Sequence, residues 1–138
     1  MGYDMFRVGV DHAQAFDTGD YFRLNVWGMG AVREELLAAG VIKVVRCPDF
    51  PSHTDFANVE EYEAAIDAVR IASPGDGPGI PVHKFCSNDG WVVTPLEVSS
   101  GIIYATQREP LWRDKLTEDR WREFVTWMEG STAGFEVW

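Results

Sequence analysis

The 138 residues carry 22 acidic against 12 basic side chains, a formal net charge of −10. That length suits one compact domain and excludes a typical two-domain enzyme, while the 46% hydrophobic and 13% aromatic content excludes intrinsic disorder. The acidic balance excludes ordinary nucleic-acid binding, which needs a clustered positive field.

No apolar run reaches the ~18 residues of a membrane span. The stretch from Met1 to Asp11 lacks the basic, apolar and small-residue succession of a secretory signal. The two cysteines, Cys47 and Cys86, read as reduced thiols in a cytoplasmic protein.

In chain order, Met5 to Val10 alternates loosely and predicts a short strand. Phe135 to Trp138 alternates too, so the two ends are expected to pair. Asp20 to Gly40 admits two readings. One is a βαβ-like unit, with a strand over Tyr21–Trp27, a Gly28-Met29-Gly30 turn, a helix and a strand over Val41–Arg46. The other, favoured here, is one helix from Tyr21 to Ala39, capped by Thr18 or Asp20 and ended by Gly40. Arg23 and Asn25 suit a buried parallel strand badly, and in the helix Tyr21, Leu24, Gly28, Val32 and Leu36 share a face. Its two interior glycines cost about 1 kcal/mol each relative to Ala and let another element approach closely.

Asn58 with Glu61 at the third helical position opens a helix in which Val59, Tyr62, Ile66 and Val69 recur at helical spacing to about Ala72. Ser73 to Gly79 is a loop within the domain, Ile80 to Phe85 a short strand, Ser87 to Gly90 a turn and Trp91 to Val93 a returning strand. Thr94-Pro95-Leu96-Glu97 combines a cap, a proline at the first helical position and Glu at the third, so a helix starts there and runs to Thr106. Thr117-Glu118-Asp119 opens a last helix with Trp121, Phe124, Val125 and Met128 on its apolar face, ended by Gly130 or Gly134. The expected fold class is therefore α+β and predominantly helical: about four helices around one core, with a small antiparallel sheet or hairpin joining the termini.

Three blocks carry a resemblance: Tyr21-Phe22-Arg23-Leu24-Asn25-Val26-Trp27-Gly28-Met29, Asn88-Asp89-Gly90-Trp91-Val92-Val93-Thr94-Pro95-Leu96-Glu97, and Trp121 to Trp127 followed by Gly134 to Val137. Together they resemble a family of small actinobacterial and actinophage proteins with no assigned activity. The resemblance implies the long N-terminal helix, and the host cytoplasm as the setting if the chain is phage-encoded. It transfers no functional residue.

Gly28-Met29-Gly30 is a partial dinucleotide fingerprint, with Asp49 downstream. Arg33 stands where the third glycine belongs, so helix packing is the reading and no cofactor is expected. His83, Cys86 and Asp89 lie within seven residues, the types of a thiolate nucleophile with its base. On an extended strand His83 and Cys86 would point to opposite faces, so only a bend joins them. Asp11, His12, Cys47, His53, Asp55, His83 and Cys86 have the chemistry of metal ligands without a ligand spacing, and no metal is expected.

Charge is uneven. Between Cys47 and His83 lie seven acids and one base, Arg70, so this third holds −6 of the −10. Glu60, Glu61, Glu63 and Asp67 read either as a solvated helix face or as a negative patch for a basic partner. Five of six tryptophans fall at or after Trp91, and among them Trp112 and Trp127 are the candidates for exposure at a partner interface. The functional expectation is a small acidic non-enzymatic interaction protein, of the phage or immunity type, that binds and inhibits a protein partner with a basic surface. The alternative is a small enzyme with its site at His83, Cys86 and Asp89, joined by Asp11 and His12.

Overall fold

The two ends of the chain do pair, and they do so at the centre of a sheet. The computed structural model describes residues 2–107 and 115–138. In chain order its elements are β1 (Gly2–Arg7), α1 (His12–Thr18), β2 (Tyr21–Asn25), α2 (Val26–Ala38), β3 (Ile42–Lys43), α3 (Val59–Ile71), β4 (Ile80–Pro81), β5 (Trp91–Val93), α4 (Pro95–Thr106), α5 (Lys115–Glu129) and β6 (Phe135–Val137). Short 3-10 turns occupy His53–Asp55 and Val82–Phe85. The main sheet is antiparallel in the order β2-β1-β6-β5, and β3 pairs with β4 in a separate parallel ribbon. The α+β class holds, with five helices among the described residues where about four were expected.

The register sets Met5 between Phe22 and Val137, and Val137 against Trp91. Strand alternation then gathers Met5, Leu24, Trp91, Val93, Phe135 and Val137 on one buried face. Onto it pack Met29, Val32 and Leu36 of α2, Val98 and Ala105 of α4, and Trp121, Phe124, Trp127 and Met128 of α5, as one cluster. Arg7 ties the sheet to the end of α5, donating to the Trp127 carbonyl at 3.0 Å and to Ser131 Oγ at 3.1 Å.

The helix expected over Tyr21–Ala39 is corrected. Its first five residues are the edge strand β2, and α2 begins only at Val26. The objection to Arg23 and Asn25 applied to a buried parallel strand; in an antiparallel edge strand both face solvent, while Leu24 turns inward. Asn25 then caps α2, its Oδ1 accepting from the Gly28 N–H at 2.6 Å. Gly40 ends the helix as expected. Its φ of 77° lets its N–H reach the Leu37 carbonyl and the Val41 N–H the Leu36 carbonyl, the paired bonds of a Schellman stop.

The two glycines of α2 do not serve close packing, which is a second correction. A Cβ at Gly28 would first meet the cap oxygen of Asn25 at 3.1 Å, and one at Gly30 would meet nothing within 4 Å. The helix glycine that does admit a close neighbour from another element is Gly101 in α4, where a Cβ would sit 3.2 Å from Val41.

The added helix, α1, is seven residues capped by Asp11, with Ala15 its one buried residue. The strand expected over Ile80–Phe85 stops at Pro81. The chain then coils inward and buries His83, Lys84 and Phe85. The predicted cap of α4 is complete, with the Thr94 N–H donating to Glu97 Oε1 at 2.9 Å and the Glu97 N–H donating to Thr94 Oγ1 at 3.3 Å.

Candidate functional site

Asn58 Oδ1 accepts from the Glu61 N–H at 2.9 Å and starts α3 where its cap predicts. No residue of α3 is fully buried. Tyr62, Ile66, Val69 and Arg70 turn toward the body, and the helix is held at its far end by Arg70. That guanidinium donates from Nε to the Asp89 carbonyl at 2.8 Å and lies 5.0 Å over the Trp138 ring.

Between α3, the Ser87–Gly90 turn and a strap formed by residues 44–58 lies an open groove of about 560 Å³. It is lined by Phe50 of the strap, by Tyr62, Glu63, Ile66, Asp67 and Arg70 of α3, and by Asp89 of the turn. Phe50 is seated by stacking on Trp91, ring centroids 5.1 Å apart. Three acidic residues and one arginine thus line the groove. Asp67 leans on Arg70 at 3.4 Å and Asp89 accepts from the Ser87 hydroxyl at 2.6 Å, while Glu63 has no ion pair among the described residues.

Of the four acids expected to act together, Glu60, Glu63 and Asp67 share a stripe of α3 by their i, i+3, i+7 spacing, and Glu61 falls on another side. Glu63 and Asp67 alone of the four line the groove. Trp127 is corrected: it is 8% exposed, its ring 5.2 Å from that of Phe135, and its indole N–H donates to the Gly19 carbonyl. The apolar face of α5 is wide enough to take Trp127 onto the sheet. An exposed tryptophan is found instead at Trp27, at 86%. Trp112 lies outside the described residues.

His83, Cys86 and Asp89 are not joined by hydrogen bonds. The His83 ring is buried edge-on against Trp91, at 4.6 Å, and neither of its nitrogens has a hydrogen-bond partner among the described residues. The Cys86 thiol donates to the Val82 carbonyl at 3.2 Å. Asp11 caps α1, and His12 stacks on Phe6 at 3.9 Å and meets Glu136 at 2.8 Å, on the sheet face opposite Trp91. His53 and Asp55 sit in an exposed turn. Among the described residues no group of three His, Cys, Asp or Glu side chains could hold a metal.

Burial, and then the charge of Lys84, hold His83 below its ordinary value. Burial also pulls Lys84 down, against the opposing pull of Glu97. Lys84 is wholly buried, and its three donors are all used: to Glu97 Oε1 at 2.8 Å, to the Val92 carbonyl on the outer edge of β5 at 2.6 Å, and to the Ile71 carbonyl at 3.3 Å. Partial burial, followed by Asp49, Asp89 and Cys86, pushes the Cys47 thiol up.

Sequence reasoning missed Phe50 and the groove-lining role of Asp89. Asp89 was visible as half of a turn signal, but nothing local says that the turn faces α3. No helix among the described residues is long and apolar enough to cross a membrane. No family model, curated protein or solved structure matches the chain.

Proposed function

We propose that the protein is a small acidic interaction protein that grips a basic segment of a protein partner in the α3 groove and thereby blocks the partner's basic surface. The observation that carries this reading is the convergence of Glu63, Asp67 and Asp89 on one groove walled by Phe50 and Tyr62. A guanidinium or ammonium group entering there would find carboxylates for charge-assisted hydrogen bonds and ring faces for cation–π contact. The partner class is a protein with a nucleic-acid-binding or nuclease-type basic face, met in the cytoplasm. In this reading the chain acts without catalysis: the His83 ring is buried against Trp91, the Cys86 thiol donates to the Val82 carbonyl and Asp89 accepts from the Ser87 hydroxyl.

Calorimetric titration with an arginine-rich peptide tests it. The wild type is expected to bind in a salt-sensitive way, and the Glu63→Gln/Asp67→Asn/Asp89→Asn variant to bind at least ~10-fold more weakly. Equal affinity in a folded triple variant would overturn the reading.

A further inference from the structure

The strap leaves β3, where Ile42 and Lys43 pair in parallel with Ile80 and Pro81, and reaches Phe50 on Trp91. The strap and the 80–91 segment therefore run in the same direction between the same two contacts. Cys47 and Cys86 each fall just past the middle of their segment. Both thiols are free and exposed. Each is engaged with a nearby carbonyl of its own segment, Cys47 with Pro48 at 3.5 Å and Cys86 with Val82 at 3.2 Å. Among the described residues, 45–51 make no backbone hydrogen bond to the rest of the fold. No backbone hydrogen bond of 45–51 therefore has to break for the approach that a disulfide needs, with Cα atoms within roughly 7 Å, and Phe50 on Trp91 holds the strap beside the 80–91 segment. The electrostatic influence of Cys86 on Cys47 agrees with this placement.

We infer that Cys47 and Cys86 form a reversible disulfide that fixes the Phe50 wall of the groove to the Asp89 turn. Its bearing on function rests on the groove reading above. Phe50 lies three residues beyond Cys47 and Asp89 three beyond Cys86, so the bond sets the spacing between an aromatic wall and a carboxylate wall. Glutathione disulfide supplies the oxidising equivalents. One cysteine thiolate attacks it, releasing a glutathione thiolate and leaving a mixed disulfide. The second cysteine thiolate attacks the protein sulfur and releases the other glutathione. The protein loses two thiol hydrogens, and the oxidant is reduced to two glutathione molecules.

The test treats the reduced full chain with glutathione disulfide, followed by intact-mass measurement, peptide mapping and limited trypsin digestion. The expected product lacks two hydrogens, retains no glutathione and yields a Cys47–Cys86 cross-linked peptide. Cys47→Ser and Cys86→Ser each retain one glutathione instead. Cleavage after the exposed Arg46 is expected to slow by about tenfold in the oxidised protein. Two retained glutathiones on the wild type, or cleavage at Arg46 as fast after oxidation as before, would overturn the inference. Neither readout involves a partner, so failure here is separate from failure of the peptide titration.

Discussion

Replacing Lys84 with methionine removes a wholly buried ammonium and three hydrogen bonds at once. Glu97, 5% exposed, would keep the Ser73 hydroxyl at 2.7 Å and the Thr94 N–H at 2.9 Å but lose its counter-charge. Breaking a buried pair from one side costs about 3–5 kcal/mol, because the remaining charge stays desolvated. With urea m-values of about 1–3 kcal/mol/M, the unfolding midpoint should fall by about 2 M. The double variant Lys84→Met/Glu97→Gln removes the stranded charge while the Gln amide oxygen can still accept from the cap, so it should recover much of the loss. Urea unfolding followed by far-UV circular dichroism reads all three proteins. A single-variant loss below ~1 kcal/mol, the scale of an exposed pair, would refute the reasoning, as would a double variant less stable than the single.

Two further outcomes follow from buried side chains. His83 is held below its ordinary 6.5, so near that pH the unfolded chain takes up a proton that the folded ring refuses. Stability is full above pH 6.5 and falls as the pH drops below it, until the folded ring is protonated too. His83→Phe should flatten this dependence between about pH 7.5 and about pH 5.5 in urea midpoints, and an unchanged slope would discount His83 as its source. Trp127→Ala should cost about 3–5 kcal/mol and Trp27→Ala less than ~0.5 kcal/mol; a reversed order in unfolding midpoints would contradict the burial of the first and the exposure of the second.

The features legible in the sequence are those whose signal is local. Thr94 with Glu97, Asn58 with Glu61, and Gly40 after the last turn of α2 each mark a helix end by chemistry contained within a few residues. A strand over Tyr21–Trp27 is the reading set aside for the helix, and β2 bears out its first five residues; the local signal does not favour it because the strand character comes from β1, which pairs all five. α1 escaped because seven residues offer little periodicity, and its hold on the fold is non-local: the burial of Ala15, the stacking of His12 on Phe6 and the packing of Phe16 on Phe6 and Tyr21. Lys84 reads as a surface residue until Glu97, Val92 and Ile71 are brought around it. Half of the groove was legible for the same reason: Glu63 and Asp67 share a helix stripe, whereas Phe50 and Asp89 arrive from segments with no local signature of that contact.

The central place of β6 also bears on the order of folding. Met5 pairs with Val137, nearly the whole chain away, and β6 alone bridges β1 to β5. Until residues 135–137 insert, β2 and β1 can form a ribbon, but the sheet has a gap where its inner face should be continuous. Closing so long a loop carries an entropic cost before the contacts that reward it exist. Docking of the helices onto a complete sheet is therefore expected late in folding, and a chain cut before Phe135 would keep of the main sheet the β1–β2 ribbon and a β5 strand without its β6 partner.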